Sequence, residues 1–388
     1  MPITLGEASP RMAGDVTEQA WAWSEFRDAR LGDARLVRRL ACTTHTMSQN
    51  PEESLPNAFG GDPHALKAVY RLLDNDGVQP AEIVAAHGRS TLRRIEAMGC
   101  KLILGVQDTT YFDFTTHRAT KGLGSIGAPG LTGCLHHGVL ALEPEAGLPL
   151  GLLYSHAWAR EEAPDQQPAA KRKRAIHDKE SGRWLEALTQ SAAVLPSGVR
   201  MVTVADREAD IFEFFDHVRQ LDQHVLLRAN HDRSVLVAEE VKSLWNAALA
   251  GDVLGAIAFT VPRDHKHNRP QRQAIATLQV AEVQLRPPAH LAARRLAPVT
   301  IRAILLQEIG APADQEPVHW LLLTTLPVQT IEDARQCVIW YTFRWRIERL
   351  HFTLKSGGNY EKLQLQTADR LWRALAIYLG RRLARPLR

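Results

Sequence analysis

The sequence predicts an α/β protein that has a mixed sheet in its core, a β-rich insertion, and a small helical module at the N-terminus. The chain has 388 residues, of which 45% are apolar, enough to fill a sizeable core. Helical periodicity dominates the first hundred residues, and from residue 101 short apolar runs alternate with helical segments. Charged residues make up only 23%, which excludes a disordered or fibrous chain.

The N-terminal residues 1–100 predict a basic helical module. Apolar residues recur at helical spacing over 18–48. The segment 62–73 predicts a helix in which Asp62 is the N-cap and Pro63 the first helical residue, and 80–98 predicts another. Five arginines lie between the apolar positions of the first helix: Arg27, Arg30, Arg35, Arg38 and Arg39. They suit a helix laid along DNA phosphates, while the acids among them leave a solvated helix as the alternative.

The remaining boundaries follow the change of pattern along the chain. Short apolar runs at 101–106, 138–142, 151–154 and 199–205 predict buried strands, and a helix is predicted near Trp184. We therefore divide the chain into a first part of the core (101–223), a β-rich insertion (224–330) and a final helical part (331–388).

Charge and hydropathy narrow the class of protein. The sequence has no apolar run near the ~18 residues of a membrane-spanning helix and no secretory leader, so a soluble cytoplasmic protein is expected. The net charge of +4 is unevenly distributed, with basic stretches at 171–174 and 263–272 and six arginines after Asp369. Such stretches can follow DNA, although most charge runs are solvated faces.

Two aspartates follow predicted strands. Asp108 comes two residues after the strand 101–106, and Asp206 comes directly after the strand that ends at Ala205. The carboxyl ends of strands form the edge of an open α/β sheet where ligands bind. Alternatively, each aspartate is an ordinary N-cap or turn residue.

A third acid lies in a helical segment with three other functional side chains. At about 100° per residue, Tyr341, Arg344, Glu348 and Lys355 fall within an arc of about 60°, beside an apolar face. The alternative is a solvated face in which the Arg344–Glu348 pair contributes about 0.3–0.5 kcal/mol.

Three carboxylates brought together repel one another unless a cation neutralises them. Hard carboxylate oxygens suit two Mg²⁺ ions, for which Mn²⁺ can substitute, and two-metal phosphoryl transfer needs no histidine base. We therefore interpret His136, His137, His265 and His267 as surface or packing residues.

These residues together resemble the DDE transposases of bacterial insertion sequences, in the hairpin-forming branch typified by transposon Tn-five. The likeness rests on Val106-Gln-Asp108-Thr-Thr110, on Ala205-Asp206-Arg-Glu-Ala-Asp-Ile211, and on the Y-(2)-R-(3)-E-(6)-K spacing from Tyr341 to Lys355. Weaker similarities lie at Leu31-Gly-Asp33, Ala68-Val-Tyr-Arg71, Gly124-Ser-Ile126 and Glu180-Ser-Gly-Arg-Trp184.

The resemblance implies a ribonuclease-H-like core in which Asp108, Asp206 and Glu348 hold two divalent metal ions. It further implies cut-and-paste transposition in the bacterial nucleoid: nicking of the transposon end, hairpin formation and opening, and strand transfer into target DNA. Trp320 resembles the tryptophan that stacks beside a flipped base, or is simply a core residue that opens a strand. Tyr341, Arg344, Lys355 and Arg228 resemble contacts to the flipped nucleotide and nearby phosphates, although Arg228 also suits a surface ion pair.

The sequence departs from the family after Lys355, where only 33 residues remain. Relatives continue into a helical region that joins two subunits around paired ends, so we expect a homodimer weakened by the lack of this region. A leucine stripe at 371, 375, 379 and 383 is expected to be exposed and to support weak self-association. Three readings remain: an active transposase, a catalytically silent protein that binds transposon ends or full-length partners as an inhibitor, and a nuclease without transposition.

Overall fold

The N-terminal part of the protein is helical. In a computed structural model that describes residues 20–161, 174–263, 269–313 and 315–383, a helical segment at 20–26 precedes four helices. These are α1 (Ala34–Gln49), α2 (Leu55–Ala58), α3 (Pro63–Leu73) and α4 (Pro80–Ala97). Residues 171–173 and 264–268 of the two basic stretches, with His265 and His267, lie outside the described residues.

The helices after residue 60 begin as predicted, whereas a single helix over 18–48 was wrong. Asp62 caps α3 by accepting hydrogen bonds from the backbone N–H groups of His64 (2.9 Å) and Ala65 (3.0 Å). Upstream, Gly32 adopts a left-handed conformation (φ +76°), and Asp33 accepts a hydrogen bond from the Arg35 N–H at 2.8 Å. A second helix thus begins at residue 34, because glycine and a capping aspartate interrupt the first one.

All strands of the described residues belong to one mixed sheet. Its twelve strands are β1 (Leu102–Asp113), β2 (Gly124–Ser125), β3 (Thr132–Leu142), β4 (Pro149–Trp158), β5 (Arg200–Ala205), β6 (His224–Arg228), β7 (Ser234–Val237), β8 (Glu240–Ser243), β9 (Asp252–Val261), β10 (Arg272–Leu285), β11 (Val299–Ile309) and β12 (His319–Thr324). The remaining α-helices are α5 (Gly182–Val194), α6 (Phe212–Gln220), α7 (Leu244–Leu249), α8 (Ile331–Thr342), α9 (Trp345–Phe352) and α10 (Ala368–Leu383).

The centre of the sheet combines parallel and antiparallel strands. The order is β4-β3-β1-β5-β6-β12, in which β1, β5 and β6 run parallel and the pairs β4–β3, β3–β1 and β6–β12 are antiparallel. The strands between β6 and β12 in the sequence lie beyond β12 in the sheet, and the first of them there is β11, which pairs with β12. The strands of the β-rich insertion therefore extend the core sheet.

The register of β1 and β5 places the two aspartates side by side. The last parallel pair is Val106 with Val204, so Asp108 and Asp206 each lie two residues beyond it on neighbouring strands. The expectation that the first strand ends at residue 106 was wrong. Strand β1 continues to Asp113 because its other edge stays paired with β3, where Asp108 is opposite Gly138.

Helix α10 packs against the N-terminal helices and shares their hydrophobic core. The leucines at 371, 375, 379 and 383 are at most 7% exposed, so the expected exposed stripe is wrong. Gly380 allows the Phe26 ring to approach, since a Cβ atom there would lie 2.4 Å from Phe26 Cζ. Arg373 donates hydrogen bonds to the backbone carbonyls of Leu73 (3.0 Å) and Val78 (2.8 Å). Within the described ranges, no helix is both long and apolar enough to cross a membrane.

Candidate active site

Asp108 and Asp206 are held in place by the backbone that follows them. The N–H of Thr109 donates a hydrogen bond to Asp108 Oδ1, and the N–H of Glu208 donates one to Asp206 Oδ1, both at 2.8 Å. The Asp108 side chain is only 15% exposed. Both of these bonds are accepted by Oδ1 of the aspartate.

The two carboxylates interact electrostatically. Burial raises the pKa of Asp206 above its usual value, the hydrogen bond from the Glu208 N–H opposes this, and the negative charge of Asp108 raises the pKa further. A nearby cation would relieve both the burial cost and the repulsion.

Glu348 lies on the first turn of α9 and forms an ion pair with Arg344, with Nη1 2.5 Å from Oε1. The Arg344 side chain is 10% exposed. Burial opposes its charge, yet the pKa of its guanidinium is raised, chiefly by Glu348 and also by Tyr341 and Asp108. Arg344 therefore links Glu348 electrostatically to the aspartate pair.

The helical segment that carries this pair is not continuous. Helix α8 ends at Thr342, α9 begins at Trp345, and a π-helical turn covers Thr353–Gly357. A uniform 100° per residue therefore does not extend to Lys355. The Lys355 ammonium lies 5.8 Å above the ring of Phe112, farther along β1 than Asp108.

The other DNA-contact candidates of the core converge beside Arg344. The Trp320 ring meets the Tyr341 ring edge-on at 5.3 Å, and Trp320 is half-buried. Burial raises the pKa of Tyr341 and lowers that of Arg228, and Arg207 and Arg344 lower the Arg228 pKa further. Arg228 also donates a hydrogen bond to the His319 carbonyl at 3.1 Å.

Three residues at this site received no role from the sequence. Arg207 lies near Arg228. Arg183 contacts Thr109, the residue after Asp108, and Glu208, two residues after Asp206. His351 lies with Nδ1 3.5 Å from Asp108 Oδ2, and its position three residues after Glu348 is the signal that was overlooked. His136 and His137 are fully buried, which fits the packing interpretation and excludes the surface one.

The donor set suits a hard divalent cation in its chemistry, because Asp108 and Asp206 lie at matching positions of neighbouring segments, and burial and the charge of Asp108 raise the pKa of Asp206. Across 20–161, 174–263, 269–313 and 315–383, no three His, Cys, Asp or Glu side chains are grouped closely enough to hold a metal ion. Glu348 is paired with Arg344, so a third carboxylate ligand requires that this ion pair open.

The predicted phosphate-binding arginines of the N-terminal module are exposed on α1. Arg35, Arg38 and Arg39 share one face at helical spacing, and Arg35 forms an ion pair with Asp33 at 2.9 Å. They thus lie on a different element from the aspartates.

Comparison with known families gives a match to this module. Residues 18–78 match the family model described as transposase DNA-binding. The match supports a transposase that binds DNA. It covers the helices up to α3 and ends before α4.

Proposed function

We propose that this protein is a DDE transposase of the insertion-sequence-four family, in its hairpin-forming branch, that performs metal-dependent cut-and-paste transposition. The observation that carries the proposal is the register of β1 and β5, which sets Asp108 and Asp206 side by side with the Arg344–Glu348 pair coupled to them. The strand order β4-β3-β1-β5-β6, in which only β3 runs antiparallel to the other four strands, supports a ribonuclease-H-like core. The transposase DNA-binding match supports DNA as the substrate.

The three acids are assigned to holding two Mg²⁺ ions. When bound, these ions lower the pKa of the attacking water or hydroxyl and neutralise the charge that develops on the leaving oxygen. Asp108 and Asp206 contribute carboxylate oxygens already oriented by backbone N–H groups, and Glu348 contributes after it leaves Arg344.

The role proposed for the cationic side chains is to bind the DNA. Released from Glu348, Arg344 binds a phosphate together with Arg228, and Tyr341 and Trp320 provide an aromatic surface for an unstacked base. Each nick displaces the 3′-oxygen from phosphorus by attack of water. The freed 3′-hydroxyl then attacks a phosphorus of the opposite strand and displaces the 3′-oxygen of the flanking DNA, which closes the hairpin and releases the flanking DNA.

The decisive experiment incubates the full chain with Mg²⁺ and DNA that carries the inverted repeats flanking its gene. Nicks followed by hairpins are expected. Asp108→Asn, Asp206→Asn and Glu348→Ala are each expected to abolish cleavage and leave DNA binding within about threefold, because the acids serve the chemistry and the arginines serve affinity.

Asp252→Asn is the matched control, since Asp252 is an exposed acid at the start of β9. It should cleave like the unaltered chain. Retained nicking in any of the three active-site variants would contradict the assignment of the metal ligands.

A second candidate is a catalytically silent protein that binds transposon ends or full-length partners as an inhibitor. The Arg344–Glu348 ion pair favours it, because this pair occupies the third carboxylate. Under this alternative, the protein binds DNA of the transposon ends but never nicks it, and Glu348→Ala changes neither the binding nor the absence of nicking.

A further inference from the structure

The guanidinium of Arg183 lies between the two aspartate-bearing segments. Its Nε donates a hydrogen bond to Thr109 Oγ1 at 2.8 Å, and its Nη2 lies 2.6 Å from Glu208 Oε2. Thr109 is the residue after Asp108, and Glu208 is two residues after Asp206. One side chain therefore bridges both segments.

Each of the two residues that Arg183 contacts is itself hydrogen-bonded to one of the aspartates. The backbone N–H of Thr109 donates to Asp108, and the backbone N–H of Glu208 donates to Asp206. Arg183 thus fixes the side chains of the two residues whose backbone orients the carboxylates. A change in its position shifts both carboxylates relative to each other.

The bridge itself is firmly anchored. Nη1 of Arg183 donates to the Glu180 carbonyl at 2.9 Å, and the guanidinium lies 5.5 Å from the ring centroid of the buried Trp184. The Arg183 side chain is only 14% exposed. Its position is therefore set by the first turn of α5 and by the core beneath it.

The Thr109 hydroxyl has a second partner. It accepts a hydrogen bond from Arg183, which can only donate, and it also lies 2.8 Å from His137 Nδ1. His137 Nε2 in turn lies 3.3 Å from Gln107 Oε1. Arg183 is thus joined to a buried network that crosses from β1 to β3.

We propose that Arg183 is a positioning residue that sets the separation of the Asp108 and Asp206 carboxylates, and through it the affinity of the site for a divalent cation. The inference rests on the proposed function, since it assumes that these aspartates are the ligands. A lysine cannot replace the arginine, because a single ammonium group cannot span Thr109 and Glu208 in the fixed geometry of a guanidinium.

The test measures Mn²⁺ binding to the full chain by isothermal titration calorimetry, without DNA. Arg183→Gln and Arg183→Lys are both expected to bind Mn²⁺ about 10–100-fold more weakly, the usual effect of losing an outer-shell partner. Arg160→Gln is the matched control, because Arg160 forms an ion pair with Glu180 and contacts neither Thr109 nor Glu208. It should bind Mn²⁺ like the unaltered chain.

Two different failures are distinguishable. If Asp108→Asn weakens Mn²⁺ binding but Arg183→Gln does not, the positioning role is overturned and the proposed function stands. If the unaltered chain shows no Mn²⁺ binding that depends on Asp108, the proposed function fails, and the inference fails with it.

A second variant guards against a simple loss of folding. In thermal unfolding, the melting temperature of Arg183→Gln should be close to that of Arg160→Gln. If Arg183→Gln does not fold, Glu208→Ala removes only one of the two contacts, at a side chain that is 56% exposed. A several-fold weaker Mn²⁺ affinity in Glu208→Ala then supports the proposal, and an unchanged affinity overturns it.

Discussion

At the scale of single residues, the Arg344 guanidinium is paired with Glu348 and coupled to Asp108, while Arg207 and Arg228 add positive charge nearby. Under the proposed function, a DNA phosphate and Glu348 compete for this one cation, so that DNA binding is coupled to release of the third carboxylate. The sequence placed Arg344 and Glu348 on one face and offered their ion pair as the alternative interpretation; the structure has this pair, but the Arg344 side chain is only 10% exposed, so the face is not a solvated one.

Arg344→Gln should therefore change metal affinity and activity in opposite directions. Glu348 loses its partner and becomes available to a cation, so Mn²⁺ binding without DNA should tighten by roughly 3–10-fold. Nicking should slow at the same time, because the phosphate contact is lost. Titration calorimetry and a single-turnover nicking assay measure the two effects.

Arg335→Gln is the control for this experiment, because Arg335 forms an exposed pair with Glu332 on α8, of the same kind but away from the aspartates. Arg335→Gln should alter neither the Mn²⁺ affinity nor the rate of nicking. Weaker Mn²⁺ binding in Arg344→Gln would show that the ion pair supports the site and does not close it.

Trp320→Ala tests the aromatic surface next to Tyr341. Stacking of an unpaired base on an aromatic ring contributes about 1–3 kcal/mol, so the first nick should proceed normally and hairpin formation should slow by about 5–100-fold. The two steps are separated on denaturing gels. Trp245→Ala, a half-buried tryptophan that packs against His319 and not Tyr341, should show no such difference. Equal loss of both steps in Trp320→Ala would indicate a folding defect.

At the scale of elements, a buried ion-pair network joins the helical segment 20–26 to α4 and β4. His87 hydrogen-bonds Glu25 through Nδ1 and accepts the Leu152 N–H through Nε2 at 2.9 Å, while Arg94 Nη1 lies 2.9 Å from Glu25 Oε2. Burial alone raises the pKa of Glu25, but the hydrogen bonds from His87 and Arg94 and the positive charge of Arg94 outweigh it and lower the pKa to about 2.

This network should make stability depend on pH. A depressed pKa stabilises the folded state fully above the ordinary value of 4.5, and the contribution is lost as the pH falls towards 2. Glu25→Gln should reduce the free energy of unfolding at pH 7 by on the order of 3 kcal/mol. Urea denaturation at pH 7 and pH 3 measures how far this difference shrinks in acid.

Glu96→Gln serves as the matched variant, because Glu96 is an exposed acid near the end of the same helix α4. It should change stability little at either pH. A Glu25→Gln penalty of the same size at both pH values would contradict the ionic origin of the effect.

Local signals explain which elements were predictable. The Asp62–Pro63 start of α3 and the strands β3, β4 and β5 follow from capping and apolar runs in the sequence. The break between α8 and α9 and the π-helical turn at 353–357 do not, because no proline or glycine precedes the break and tertiary packing sets both. The uniform helical spacing used to place Lys355 therefore does not hold across this turn.

At the scale of the whole molecule, the exposed arginines of α1 and the three acids lie on different elements. The arginines belong to the part that matches the transposase DNA-binding family model, whereas Asp108 lies on β1, Asp206 directly after β5 and Glu348 on α9. The sequence predicted this separation from charge and pattern. It could not predict that α10 covers the N-terminal helices, since a leucine stripe does not reveal its partner.

Replacing Arg35, Arg38 and Arg39 by glutamine should weaken DNA binding in a salt-dependent way. Loss of two to three phosphate contacts should reduce the slope of log affinity against log salt concentration by about 2–3. Fluorescence anisotropy over a range of salt concentrations measures it. Arg302 and Arg335 already pair with glutamates, so their double glutamine variant should leave the slope unchanged. An unchanged slope in the triple variant would place the DNA on another surface.

The shared core of α10 and the N-terminal helices has a consequence for biosynthesis. The apolar surface of the N-terminal helices that Leu371, Leu375 and Leu379 cover stays exposed during translation until α10 has been synthesised. These helices are thus made well before α10 but packed completely only with it. A nascent chain stalled before α10 offers chaperones an uncovered apolar surface.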